Sequence, residues 1–105
     1  MPGLLLIVAG ADGERLAAAI ELAAAVAALG RPVELLLRGT AVTALGQPEM
    51  KQGFGLLSEL GAGLWACQTA MAAHGLTAAD LPRHVEATGL VALMKDRADW
   101  QLAVV

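Results

Sequence analysis

The sequence predicts a single three-layer α/β domain over residues 1–105, with about five mostly parallel strands and helices on both faces of the sheet. Three observations carry that prediction. The apolar run Gly3 to Ala9 is continuous rather than alternating, as in a strand buried on both faces, and Pro32 to Leu37 is a second apolar run. Strand-like and helix-like segments alternate along the whole chain, the pattern of a parallel sheet covered by its crossovers. With 105 residues, 57% of them apolar and 16% charged, the chain suits one folded domain and is too short for two ordinary cores.

Each element has its own reason. Gly3 to Ala9 reads as the first strand, broken by Gly10-Ala11-Asp12-Gly13, where Asp12 is placed to cap a helix. Glu14 to Leu29 is rich in Ala, Leu and Glu. Leu16, Ile20, Ala23, Ala24 and Ala27 recur at helical spacing, so one face can pack on a sheet, and Gly30 stops the helix. Pro32 to Leu37 is the second strand and completes a βαβ unit with a right-handed crossover. Gly46, Pro48 and Gly53 mark the stretch from Thr40 to Gly53 as a loop with one helical turn around Val42 to Leu45, followed by a short helix from Phe54 to Leu60. Gly63 to Ala66 is a third strand, with Cys67 directly after it and a helix from Gln68 to His74, stopped by Gly75. Thr77-Ala78-Ala79-Asp80 has the spacing of a capping box with Asp in place of Glu, and Pro82 ends that turn. His84 to Ala87, Gly89 to Arg97 and Trp100 to Val105 complete the pattern as strand, helix and strand.

Composition narrows the function classes. A net charge of −3 with only seven scattered Lys and Arg lacks the basic footprint of nucleic-acid binding. A single cysteine leaves no internal disulfide and fits a reducing compartment. Leu4 to Ala9 is too short for a signal peptide and has no basic residue before it. Glu14, Arg15 and Glu21 interrupt the alanine-rich region well before the roughly 18 to 20 apolar residues of a membrane span. The expected location is the cytoplasm. So many apolar residues are hard to hide in one small copy, which points to a homo-oligomer.

Ligands of open parallel sheets bind outside the carboxyl ends of the strands, where strand order reverses. With the order 2-1-3-4-5, that edge collects Gly10 to Gly13, Arg38 to Thr40, Cys67 to Thr69, and Thr88-Gly89. Cys67 is the strong nucleophile among them, at a strand-to-helix junction whose free N–H groups and dipole favour a thiolate. Asp12, Gly13, Arg38, Gln68 and Thr69 are the candidate substrate-binding residues around it. The structural alternatives stand beside these roles. A lone cysteine often serves as a small buried hydrophobe, Asp12 as a simple helix cap, and Arg38 as a solvated charge. His74 suits a helix C-terminus, His84 falls on the opposite edge from Cys67, and Trp65 and Trp100 suit core or interface packing. No spacing of Cys, His and carboxylates suggests a metal, and Gly10-Ala11-Asp12-Gly13 lacks the third glycine of a dinucleotide fingerprint.

The segment from Leu60 to Leu76, LGAGLWACQTAMAAHGL, resembles the cysteine segment of the DsrE/DsrF/TusD-like family, in which a strand delivers a cysteine and a glycine follows eight positions later, here Gly75. Asp80-Leu81, Val85 to Gly89 and Ala98-Asp99 fit the later part of the family pattern. The resemblance implies a flavodoxin-like sheet, assembly as trimers or hexamers, and a cysteine that carries sulfur as a persulfide, with Cys67 in that role and no cofactor. Some relatives have a second cysteine three residues on, where this chain has Ala70, so the implied chemistry is single-cysteine persulfide transfer between a donor and an acceptor protein. Two other readings stay open. One is a non-catalytic oligomeric binding or regulatory protein with a structural cysteine, and the other is a thiol-based redox role.

Overall fold

The computed structural model describes residues 2–105. Along the chain run β1 (Leu4–Val8), α1 (Gly13–Ala28), β2 (Val33–Leu37), a 3₁₀ segment (Gly39–Gly46), α2 (Pro48–Glu59), β3 (Gly63–Cys67), α3 (Gln68–Ala73), a 3₁₀ turn (Ala78–Asp80), β4 (Val85–Thr88), α4 (Leu90–Lys95) and β5 (Gln101–Val104). All five strands pair in parallel in one sheet, as the continuous first run and the alternation of strands with helices predict.

The strand order is β4-β3-β2-β1-β5, which corrects the order 2-1-3-4-5 used to assemble the candidate edge. The reason lies in strand chemistry. Val33, Leu35, Leu36 and Leu37 of β2 are all buried, so β2 belongs at the centre, with neighbours on both sides. Glu86 of β4 and Gln101 of β5 are exposed, and these two short strands occupy the edges, where a polar side chain costs nothing and discourages pairing with another sheet.

Register sorts the side chains. Leu102, Leu5, Glu34 and Gly63 align in one row, and Val104, Ile7, Leu36, Trp65 and Glu86 in the next row on that face. The opposite face carries Leu4, Leu6, Val8, Leu35, Leu37, Leu64 and Ala66, all buried. The crossovers from β1 to β4 step in one direction, and right-handedness places α1 and α2 together on this second face. The return from β4 to β5 puts α4 on the first face, where Met94, Trp100 and Leu102 gather around Leu5. Gly3 is required there, because a Cβ at this position would lie 2.6 Å from the Trp100 ring.

Helix α1 buries Leu16, Ala19 and Ala23, and its capping residue is Asp12, whose carboxylate accepts from Glu14 N at 2.9 Å and Arg15 N at 3.4 Å. Full burial of a side chain such as Leu16 contributes about 1.5–3 kcal/mol. Helix α2 begins at Pro48, six residues before the expected start. Proline at the first helical position is pre-set for the helix, and it outweighs the two glycines inside. Gly53 has a purpose there, since its Cβ would lie 3.2 Å from Ile20 of α1, whereas a Cβ on Gly55 would meet nothing within 4 Å. Gly55→Ala is therefore expected to stabilise the fold by about 0.5–1 kcal/mol through reduced unfolded-chain entropy. Gly53→Ala, which must displace Ile20, is expected to gain less or lose stability. Urea midpoints of the two variants check the ranking, and equal gains would refute it.

Candidate functional site

Cys67 closes β3 and is the residue from which α3 starts, with an extended backbone at φ −69° and ψ 123°. It pairs in register with Thr88, the last residue of β4. The chain after Cys67 turns into α3 toward the α1/α2 face, while the chain after Thr88 turns through Gly89 into α4 on the other face. The topological switch point, where connections part to opposite faces, therefore lies between β3 and β4, directly at Cys67. Gln68 reaches toward the β4 side, its Oε1 standing 4.0 Å from where a Cβ on Gly89 would be. On the other flank, Leu37, the last residue of β2, pairs with Ala66, so Arg38 just after it is level with Cys67.

The candidate residues thus divide. Cys67, Gln68 and Thr69 are contiguous, and Arg38 directly follows the neighbouring strand. Asp12 and Gly13 follow β1, which β2 separates from β3, about 9–10 Å away at ordinary strand spacing. Asp12 is also engaged as a cap, the role a structural reading gives it. Arg38, Gln68 and Thr69 are exposed, whereas Cys67 is buried, with 9% of its surface open. Its thiol receives no capping hydrogen bond from the first turn of α3. Thr88, which the sequence reading left out of the binding set, is the closest partner by register, and its hydroxyl donates to Gly89 O at 3.3 Å. Its place at a strand's carboxyl end puts it on the candidate edge, and strand pairing sets it directly beside Cys67.

The remaining alternatives resolve in place. His74 ends α3, and His84 precedes β4 at the edge opposite Cys67. Among the described residues no group of three or more His, Cys, Asp or Glu is arranged to hold a metal. No helix among them is long and apolar enough to cross a membrane.

A sequence model described as the DsrE/DsrF-like family matches residues 4–99. The chain belongs to the DsrE/DsrF-like family. No curated protein matches the sequence significantly. Among solved structures, the ychN protein from E. coli is similar at TM-score 0.87 and 20% identity, with each chain covered in full. A protein of unknown function from Methanobacterium thermoautotrophicum, MTH1491, is similar at TM-score 0.89 and 17% identity, again over all of both chains. BT1422 from Bacteroides thetaiotaomicron, a conserved protein of unknown function, reaches TM-score 0.79 and 13% identity over 97% of this chain and 94% of that one. At these identities the likeness establishes the DsrE-like fold.

Proposed function

We propose that this DsrE-like protein is a cytoplasmic sulfur carrier or sulfurtransferase subunit that passes persulfide sulfur through Cys67. The observation that carries the reading is the place of the thiol: a family member's lone cysteine ends β3 at the topological switch point between β3 and β4. The Cys67 thiolate attacks the outer sulfur of a donor persulfide. A new S–S bond forms, the donor's S–S bond breaks, and the donor leaves as a thiolate. An acceptor thiolate then attacks the outer sulfur of Cys67–S–SH, takes it, and regenerates the Cys67 thiolate, so no net oxidation occurs. Arg38, Gln68 and Thr69 are the exposed side chains beside Cys67 that would meet the donor and acceptor proteins. Val91, Met94, Leu102 and Val104 leave exposed apolar surface on α4 and β5, which supports assembly as a homo-oligomer.

A second reading has its own support. The 9% exposure of Cys67 suits a structural cysteine in a non-catalytic oligomeric binding protein. Intact mass after incubation with a low-molecular-weight persulfide separates the two. The carrier predicts a gain of one sulfur on the native protein, absent in Cys67→Ser and Cys67→Ala, together with iodoacetamide labelling before unfolding. Labelling only after denaturation, with no sulfur gained, would establish the structural role. Native mass of the same samples gives the assembly state.

A further inference from the structure

We propose that this protein has a second site, remote from Cys67, that binds a small molecule with an oxyanion head and a compact apolar body. The site is a cavity of about 470 Å³ between α2 and the segment leading into β4, within the usual size range of small-molecule pockets. Its polar wall brings together Lys51, Arg83, His84 and Asp80, and its accessible apolar side is formed by the half-buried Leu81 and Pro82, with Phe54 and Leu45 buried in the same lining.

Charge is the first argument. The chain has only seven Lys and Arg and a net charge of −3, yet two of the seven and one of its two histidines line this one cavity. Among the described residues the only ion pair is Arg97–Glu34, so Lys51 and Arg83 have no carboxylate partner. The single acid on the wall is already engaged: Asp80 Oδ2 accepts from Thr77 N at 2.7 Å and Thr77 Oγ1 at 3.1 Å. The two fixed cations outnumber that one carboxylate, so the wall carries net positive charge for an anion, the guanidinium as a planar fork and the ammonium as a point charge.

Preorganisation is the second. Val85 N donates to Pro82 O at 3.0 Å, so Arg83 and His84 are the two central residues of a tight turn. Immediately before it, Leu81 N donates to Ala78 O and the Thr77–Asp80 capping box closes the preceding turn. A backbone held at both ends lets a ligand bind without first ordering the loop. The half-buried Leu81 and Pro82 supply apolar surface that a bare inorganic ion would not use, which is why an organic body is specified.

The test titrates the full-length protein with phenyl phosphate, benzoate, inorganic phosphate and phenol, read by calorimetry and by amide chemical shifts. Saturable binding of phenyl phosphate or benzoate is expected, with shifts at Lys51, Phe54 and Arg83. Phenol, which lacks the charge, and inorganic phosphate, which lacks the body, should bind at least about tenfold more weakly, and the ratio of phosphate to carboxylate ligands identifies the preferred head group. Lys51→Gln with Arg83→Gln should weaken binding by about tenfold or more while leaving the spectrum folded, in keeping with loss of charge-assisted hydrogen bonds. Cys67→Ser should bind like the wild type, so the outcome stands apart from the sulfur-carrier reading. No saturable binding of either aromatic anion, or unchanged binding in the double variant, overturns the proposal.

Discussion

Arg97→Met is expected to lower folding stability by about 2–3 kcal/mol, although Arg97 lies outside the main apolar core. Its guanidinium forms a two-pronged ion pair with Glu34 through Nε and Nη2, the latter at 2.9 Å, and Nη1 donates to Leu93 O at 2.7 Å. It also lies over the rings of Trp65 and Trp100, at 5.8 and 5.4 Å from their centroids, within the range of cation–π attraction. The two side chains are only 17% and 16% exposed. Removing the arginine strands the Glu34 carboxylate on a largely covered sheet face, and breaking a fully buried pair costs roughly 3–5 kcal/mol. The remaining exposure places the expected loss somewhat below that range. The double variant Glu34→Leu with Arg97→Met should recover most of it, because two apolar side chains leave no charge unpaired. Urea denaturation of the two singles and the double gives the coupling. A single Arg97→Met within about 0.5 kcal/mol of the wild type, the usual range of a solvated pair, would show that the pair is solvated.

Gly39→Val is expected to cost about 3–5 kcal/mol, enough to unfold much of the population of a domain of ordinary stability. Gly39 adopts φ +56°, and a Cβ there would lie 2.6 Å from the Ala9 carbonyl oxygen. The left-handed conformation costs an L-residue about 1–2 kcal/mol, more for a β-branched one. The collision adds an overpacking cost of about 1–3 kcal/mol, because the obstacle is backbone and cannot rotate away. The residue directly follows Arg38 and opens the 3₁₀ segment, so the same change would move Arg38 relative to Cys67. Thermal unfolding together with the amide shifts of Arg38 and Cys67 tests both effects. A variant with wild-type stability and spectrum would show that the loop has room to shift.

Local signals in the sequence carried a long way. The run through Leu4–Val8, the Asp12 cap and the Thr77–Asp80 capping box are properties of neighbours in the chain, and each stands where local chemistry places it. Cys67 at a strand-to-helix junction was legible for the same reason. Strand order was not, because it depends on pairings such as Leu36 with Trp65 that only the assembled sheet creates. Asp12 and Gly13 consequently stood too close to Cys67 in the sequence reading. The start of α2 at Pro48 was hidden by Gly53 and Gly55, whose meaning depends on whether Ile20 lies opposite. The ion pair of Glu34 with Arg97 spans 63 positions, and the cavity beside Lys51 and Arg83 joins segments that no local pattern relates.

The edge position of β4 bears on how fast Cys67 can react. An edge strand is held by one ladder instead of two, and its outer N–H and C=O groups already face solvent. β4 is four residues long, and its Glu86 is exposed. Native proteins open in pieces, and elements with few contacts detach at a fraction of the global cost. Thr88 is the residue that β4 pairs with Cys67, so detaching this strand would open one side of the thiol's surroundings without unfolding the rest. Under such pre-equilibrium opening, the alkylation rate of Cys67 is the intrinsic thiolate rate multiplied by the opening constant. Each 1.4 kcal/mol added to or removed from the β3–β4 ladder changes that rate about tenfold. Substitutions along β4, far smaller in effect than losing the cysteine, would then act as a graded throttle on thiol chemistry.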